Sequence, residues 1–147
     1  MTKLSRNFTL EELCASQTAK AKGIKNQPGT QEIVCLTALT QAVLQPLREW
    51  WCKPIVIGSG YRCPALNKAV GGVSNSQHMK GQAVDLFIDG DKAKGQRWFE
   101  YIRNHLPFDQ LIWEHNSKTG AYWVHVSFVY PDFGKNRHKV IDLLEKK

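Results

Sequence analysis

The chain has 147 residues, 42% of them hydrophobic and 22% charged, a length that suits one compact domain and needs no metal or disulfide merely to supply a core. Five Trp, four Tyr and six Phe exclude a disordered chain, and the composition excludes collagen-like and low-complexity classes. Twenty Lys+Arg against 13 Asp+Glu leave a net charge of +7, which draws the protein to polyanions without choosing among them. The densest basic stretches, Lys20, Lys22, Lys25 and Lys135, Arg137, Lys139, alternate with other residues and read as solvated surface.

Thr9-Leu10-Glu11-Glu12 has capping-box spacing and predicts a short helix with Leu10 and Leu13 on its apolar side. Lys22 to Gly29 reads as a loop, and from Thr30 the residues Ile33, Leu36, Leu39, Val43, Leu44, Leu47 and Trp51 recur at helical intervals. Pro46 kinks or divides that helix. Pro54–Ile57 reads as a short buried strand, and Gly58-Ser59-Gly60 as a turn that delivers Tyr61 and Arg62. Pro64 opens a brief helix that Gly71-Gly72 stops.

Ala83–Ile88 reads as a central strand, followed by a turn at Asp89-Gly90 and a helix carrying Trp98, Phe99, Tyr101, Ile102 and Leu106. Gln110–Glu114 and Tyr122–Phe128 read as two strands of a hairpin around Asn116–Gly120. The tail from Asn136 to Leu144 fits a helix or an edge strand. Cys14, Cys35, Cys52 and Cys63 form no Cys-x-x-Cys pair and read as free thiols, most simply small core residues. No stretch approaches the ~18 apolar residues of a membrane span, and the first ten residues lack the apolar run of a secretory signal, so the expectation is a chain that is cytoplasmic as synthesised.

His78 and Asp85 stand seven residues apart around Gly81, and His125 lies on a strand that fits beside Asp85. Two imidazoles and one carboxylate suit zinc and leave a fourth position open, although spacing alone is a weak signal and a single His is more often a hydrogen-bonded structural residue. The surrounding residues add specificity. Ser76-Gln77-His78-Met79-Lys80-Gly81-Gln82-Ala83-Val84-Asp85 fits Ser-x-His-x-x-Gly-x-Ala-x-Asp, and Trp123-Val124-His125 fits a later Trp-x-His element. With Phe8–Leu13 and Ser16, Asn26-Gln27-Pro28, Leu44–Arg48, Ser59–Arg62 and Gly71-Gly72, these residues make the chain resemble the zinc D-Ala-D-Ala carboxypeptidase family, the M15 peptidases that cut peptidoglycan.

The resemblance implies that His78, Asp85 and His125 bind zinc and that Arg62 faces the substrate. It also implies an α+β fold of the hedgehog/DD-peptidase kind over residues 1–147, with an antiparallel sheet bearing the metal and helices packed against it. At the end of its strand Arg62 suits a carbonyl or a terminal carboxylate and the oxyanion of a tetrahedral intermediate. Gly81 permits a close backbone turn between two ligands, Ala83 is small enough to pack beneath a metal, and Ser76 either hydrogen-bonds beside the site or caps a turn.

A general base is still required, and Glu114 is the candidate. If the hairpin pairs Glu114 with Trp123, then Glu114 and His125 share a face of the sheet, and a one-residue slip would separate them. Some branches of the family place the catalytic Glu or a His three residues before the last ligand, where this chain has Tyr122; others carry Glu at the end of a strand like Asp109–Glu114. His115 should face away from Glu114, and His105 and His138 read as surface residues. Tyr61, Trp113 and Trp123 either border a substrate groove or pack in the core, as most Trp in so small a domain do; Tyr61 and Trp123, with Ser76, are the candidates for contact with the substrate or for support of the site.

The resulting expectation is a monomeric zinc peptidase acting on peptidoglycan stem peptides, as a D-Ala-D-Ala carboxypeptidase or an endopeptidase. A wall substrate without a secretory signal suggests a phage or prophage endolysin. The rival readings are a catalytically silent zinc-fold module that binds wall or a protein partner, and a small basic nucleic-acid-binding protein, for which no recognised motif is present.

Overall fold

The computed structural model describes residues 2–142. Strands β1 (Lys3–Ser5) and β2 (Phe8–Thr9) pair as a small hairpin that leads directly into α1 (Leu10–Cys14). The capping box forms: Glu12 N donates to Thr9 Oγ1 at 3.3 Å and Thr9 N donates to Glu12 Oε1 at 2.8 Å. Ser16 caps α2 (Gln17–Lys22) through Ala19 N, and Gly23, left-handed at φ 66°, ends it.

The long apolar segment becomes α3 (Thr30–Leu39), a π-helical turn (Thr40–Leu44) and α4 (Gln45–Trp51). Pro46 accounts for the division. It has no N–H to donate and its ring displaces the carbonyl four residues back, so the preceding turn widens and Gln45 N donates to Thr40 O. The stripe Leu36, Leu39, Val43, Leu44 and Leu47 is fully buried.

After α4 come β3 (Val56–Ser59), α5 (Pro64–Ala69), β4 (Ala83–Phe87), α6 (Lys92–His105), β5 (Gln110–Asn116), β6 (Ala121–Ser127) and β7 (Lys139–Asp142). Among the described residues the five later strands form one sheet in the order β3-β4-β6-β5-β7. The pairs β3–β4, β4–β6 and β5–β6 are antiparallel, as an α+β fold with hairpin connections requires. The tail resolves as a strand, and it adds a parallel pair: β7 runs beside β5 with Gln110 opposite Lys139. It is parallel because the segment after β6 turns back across the start of β5, where His138 N donates to Phe108 O and Lys139 N to Asp109 O. Residues 143 and 144 of the expected tail element lie outside the described residues.

Side chains alternate along these strands with period two. Val84, Leu86, Leu111, Trp113, Val124 and Val126 are buried against α3, α4 and α6, with Trp98, Phe99 and Ile102 of α6 closing the core. Asp85, Phe87, Ile112, Glu114, Trp123 and His125 occupy the opposite face. Three expectations are corrected here. The strand near Ile57 is an edge strand rather than a buried one: it has a single neighbour, and Val56 is 56% exposed. Trp113 and Tyr61 belong to the core, at 1% and 6% exposure, and so border no groove. Of the four free thiols only Cys35 is fully buried, whereas Cys52 is an exposed left-handed helix cap at φ 61°.

Gly81 combines a left-handed backbone (φ 72°) with a position where a Cβ would collide with the Glu32 carbonyl of α3. Both effects oppose any side chain. Gly81→Ala is therefore expected to destabilise the fold by roughly 2–4 kcal/mol, read as a lower midpoint in urea unfolding with an unchanged slope.

Candidate metal centre

The centre is built where β4 and β6 lie side by side. Their register places Asp85 directly opposite His125, and a bulge in β3 sets Ser59 on the other side of Asp85. His78 arrives from a 3₁₀ turn (Gln77–Lys80) between α5 and β4. Ser76 Oγ accepts from His78 N at 3.1 Å to start that turn, and Gly81 reverses the chain to end it. The turn is fixed from outside as well, because Arg62 N donates to His78 O at 3.1 Å.

His78, Asp85 and His125 bring one ligand atom each to within 4.8 Å of one another. Asp85 Oδ1 lies 2.9 Å from His125 Nδ1 and 3.5 Å from His78 Nε2, and the two rings meet edge to face at 5.3 Å. His78 Nδ1 is 2.7 Å from the Gly60 carbonyl. A carbonyl only accepts, so Nδ1 carries a proton, and Nε2 is the nitrogen turned toward the Asp85 carboxylate. Tetrahedral zinc with ligand bonds of about 2.0–2.2 Å spaces its ligands by roughly 3.3 Å, so the observed separations and the N,N,O donor set fit that ion. The Gly60 carbonyl is the outer partner that orients a ligating imidazole.

Burial works against the charged form of Asp85, but hydrogen bonds and charge from His125 and His78 outweigh it and hold the carboxyl well below the usual carboxylate range. Arg62 lies against the same carboxylate, Nη2 3.5 Å from Oδ2, with Nε donating to Ser59 Oγ at 3.2 Å and Nη1 to Asn67 Oδ1 at 3.4 Å. It lines a cleft of about 560 Å³ together with Val56, Leu66 and Phe87. Glu114 stands opposite Trp123 and thus on the face of His125, and the two line one cleft of about 420 Å³. Burial pushes the Glu114 carboxyl up, partly offset by His125. Trp123 borders a third cleft of about 350 Å³ with Asp85 and Phe87. Ala83, fully buried, points to the same side as Asp85. His115 faces away and stacks on Tyr122 at 4.2 Å.

Three supporting residues are given no role by the sequence reading, although Asn26 and Asp109 stand in segments that carry the resemblance. Asn26 bridges Cys14 O, Tyr61 O and Cys63 N, holding the chain on both sides of Arg62. Asn67, buried at 3%, receives Arg62 and donates to Val73 O at 2.8 Å. Asp109, 2% exposed, accepts from Gln77 Nε2 at 2.9 Å and from Arg137 Nε and Nη2 at 2.8 and 3.0 Å. It therefore ties the His78 turn to the tail.

A family model described as peptidase M15 matches residues 6–127. The chain belongs to the peptidase M15 family. It is also 37% identical over 82 residues to the zinc D-Ala-D-Ala carboxypeptidase of Streptomyces albus G, a match covering 54% of this chain and 31% of that protein. The family expected from the His78–Asp85 and Trp123–His125 motifs is thus the one found. Among the described residues no helix is long and apolar enough to cross a membrane.

Hydrogen bonds from Arg137 outweigh burial and hold Asp109 below the usual carboxylate value. A depressed folded-state value stabilises the fold fully above the unfolded value of about 4, and this contribution is lost as pH falls through the folded value. Thermal midpoints measured between about pH 2 and pH 6 should decline below about pH 4, and Asp109→Asn should flatten that decline while lowering the midpoint at neutral pH.

Proposed function

We propose that the protein is a zinc peptidase that hydrolyses peptide bonds in peptidoglycan stem peptides, with His78, Asp85 and His125 as the metal ligands, Glu114 as general base and Arg62 facing the substrate. The observation that carries this reading is the convergence of His78, Asp85 and His125, with Glu114 on the sheet face of His125, in a chain of the peptidase M15 family. The relative's name supports zinc as the metal and a peptide ending in D-Ala-D-Ala as the substrate.

Zinc, when bound, supplies a Lewis acid that polarises the scissile carbonyl and acidifies water. Glu114 takes the proton from the attacking water and passes it to the leaving amine nitrogen. Its raised pKa brings it nearer the operating pH, where one group serves as base and then as acid. Arg62 is held on three sides, by Ser59, Asn67 and Asp85, so its guanidinium is oriented before substrate arrives. It stabilises the negative oxygen that develops at the carbonyl, or anchors a substrate carboxylate. Ser76 holds His78 in place through its backbone N–H, and Trp123 offers an apolar wall to the peptide. The net charge of +7 supports adhesion to anionic wall polymers, as an endolysin-type enzyme acting on the cell wall after release requires.

With purified peptidoglycan as substrate and products read by mass spectrometry, Glu114→Ala should lower hydrolysis by at least about 100-fold while zinc stays near one per chain. Retained activity in Glu114→Ala would place the base elsewhere, and zinc without cleavage by the wild type would favour the silent wall-binding module. Arg62→Ala should lower kcat about 100-fold with zinc likewise retained.

A further inference from the structure

Arg137 lies beyond residues 6–127, the span matched by the family model, and reads from sequence as ordinary basic surface. The structure gives it a defined place. The Glu114–His125 cleft of about 420 Å³ has Arg137 and Gln77 in its wall, and both residues also line an adjoining cleft of about 430 Å³ with Lys80 and Lys135. Three cations thus face two clefts that meet at Arg137, and the clefts hold two carboxylates, Glu114 and Asp109. Asp109 is committed: its oxygens receive Gln77 Nε2, Arg137 N, Nε and Nη2.

That clamp orients Arg137 without using it up. A guanidinium has five N–H groups, and Asp109 takes those on Nε and one on Nη2. Among the described residues no protein acceptor takes Nη1, and the side chain is 56% exposed. A fixed planar donor with free N–H groups, in a cleft wall shared with Lys80 and Lys135, matches a carboxylate.

We propose that Arg137, with Lys80 and Lys135 beside it, forms an anion subsite that takes a carboxylate of the substrate on the Glu114 side of the metal ligands. The inference rests on the stem-peptide reading above and adds a specificity determinant to it. A stem peptide offers such a group in two places, its C-terminal carboxylate and the free α-carboxylate of its γ-linked glutamate.

The test uses the full chain loaded with zinc and three synthetic peptides: L-Ala-γ-D-Glu-L-Lys-D-Ala-D-Ala, the same peptide amidated at the glutamate α-carboxyl, and the same peptide amidated at the C-terminus. Affinities are measured by calorimetry on the Glu114→Gln protein and kcat/KM on the wild type. One of the two amides should bind about tenfold more weakly than the acid and show a matching fall in kcat/KM, which names the carboxylate concerned. Adding Arg137→Ala should erase that discrimination, and Lys80→Gln with Lys135→Gln should reduce it. A variant that is merely less stable would weaken all three peptides alike and keep the ratio. The subsite is overturned if the three peptides bind alike or not at all, or if discrimination survives Arg137→Ala. Hydrolysis without discrimination sinks the subsite and leaves the peptidase, whereas discrimination in binding without hydrolysis sinks the peptidase and leaves the subsite.

Discussion

The pairing of Asp85 with His125 across β4 and β6 is the constraint on which the rest of the structure depends. Strand period two then decides everything on that face: Glu114 two positions from Ile112, Trp123 two from His125, Phe87 two from Asp85. A slip of one residue in β6 would send His125 into the helical layer and bring Val124 or Val126 to the metal side, an apolar loss as well as a chemical one. The core therefore enforces the site. Burial of Val84, Leu86, Val124 and Val126 excludes every odd-numbered slip and so keeps Asp85 and His125 on one face of the sheet.

His78 comes by another route, and its placement is the more demanding part of the fold. It sits on a one-turn helix whose ends are set by Ser76 and Gly81, whose carbonyl receives Arg62 N, and whose ring is steered by Gly60 O. Gly60 is itself pressed on Leu13, where Tyr61 N donates to Leu13 O at 2.8 Å and a Cβ would collide with that carbonyl. The short α1 helix thus reaches the centre through two peptide groups. Asp109 braces the turn from the opposite side through Gln77, so the third ligand is gripped between the amino-terminal layer and the tail.

Local patterns made much of this legible in the sequence. The Thr9 box, the Pro46 break, the Gly71 stop and the hairpin register of Glu114 with Trp123 each rest on contacts within a few residues or on strict alternation. The convergence of His78, Asp85 and His125 was legible through the motifs that carry the family resemblance, since spacing alone is a weak signal. What escaped depends on distant partners. Asn26 belongs to one of the motifs that carry the resemblance, but its role appears only when Tyr61 and Cys63 are folded onto it, and Asp109 looks like a strand-leading carboxylate until the tail returns with Arg137. The parallel β7 and the edge status of β3 follow from strand order, which composition does not encode. For Tyr61 and Trp113 the sequence leaves groove and core both open, because an aromatic ring near a site motif carries no sign of which sheet face it will join.

The most direct test of this account is a crystal structure of the zinc-loaded protein with anomalous scattering recorded at the zinc edge. It should place one ion about 2.0–2.2 Å from His78 Nε2, an Asp85 oxygen and His125 Nδ1, with His78 Nδ1 still donating to Gly60 O. No anomalous peak at these three side chains, or an ion held by a different set, would contradict the metal centre and the chemistry derived from it.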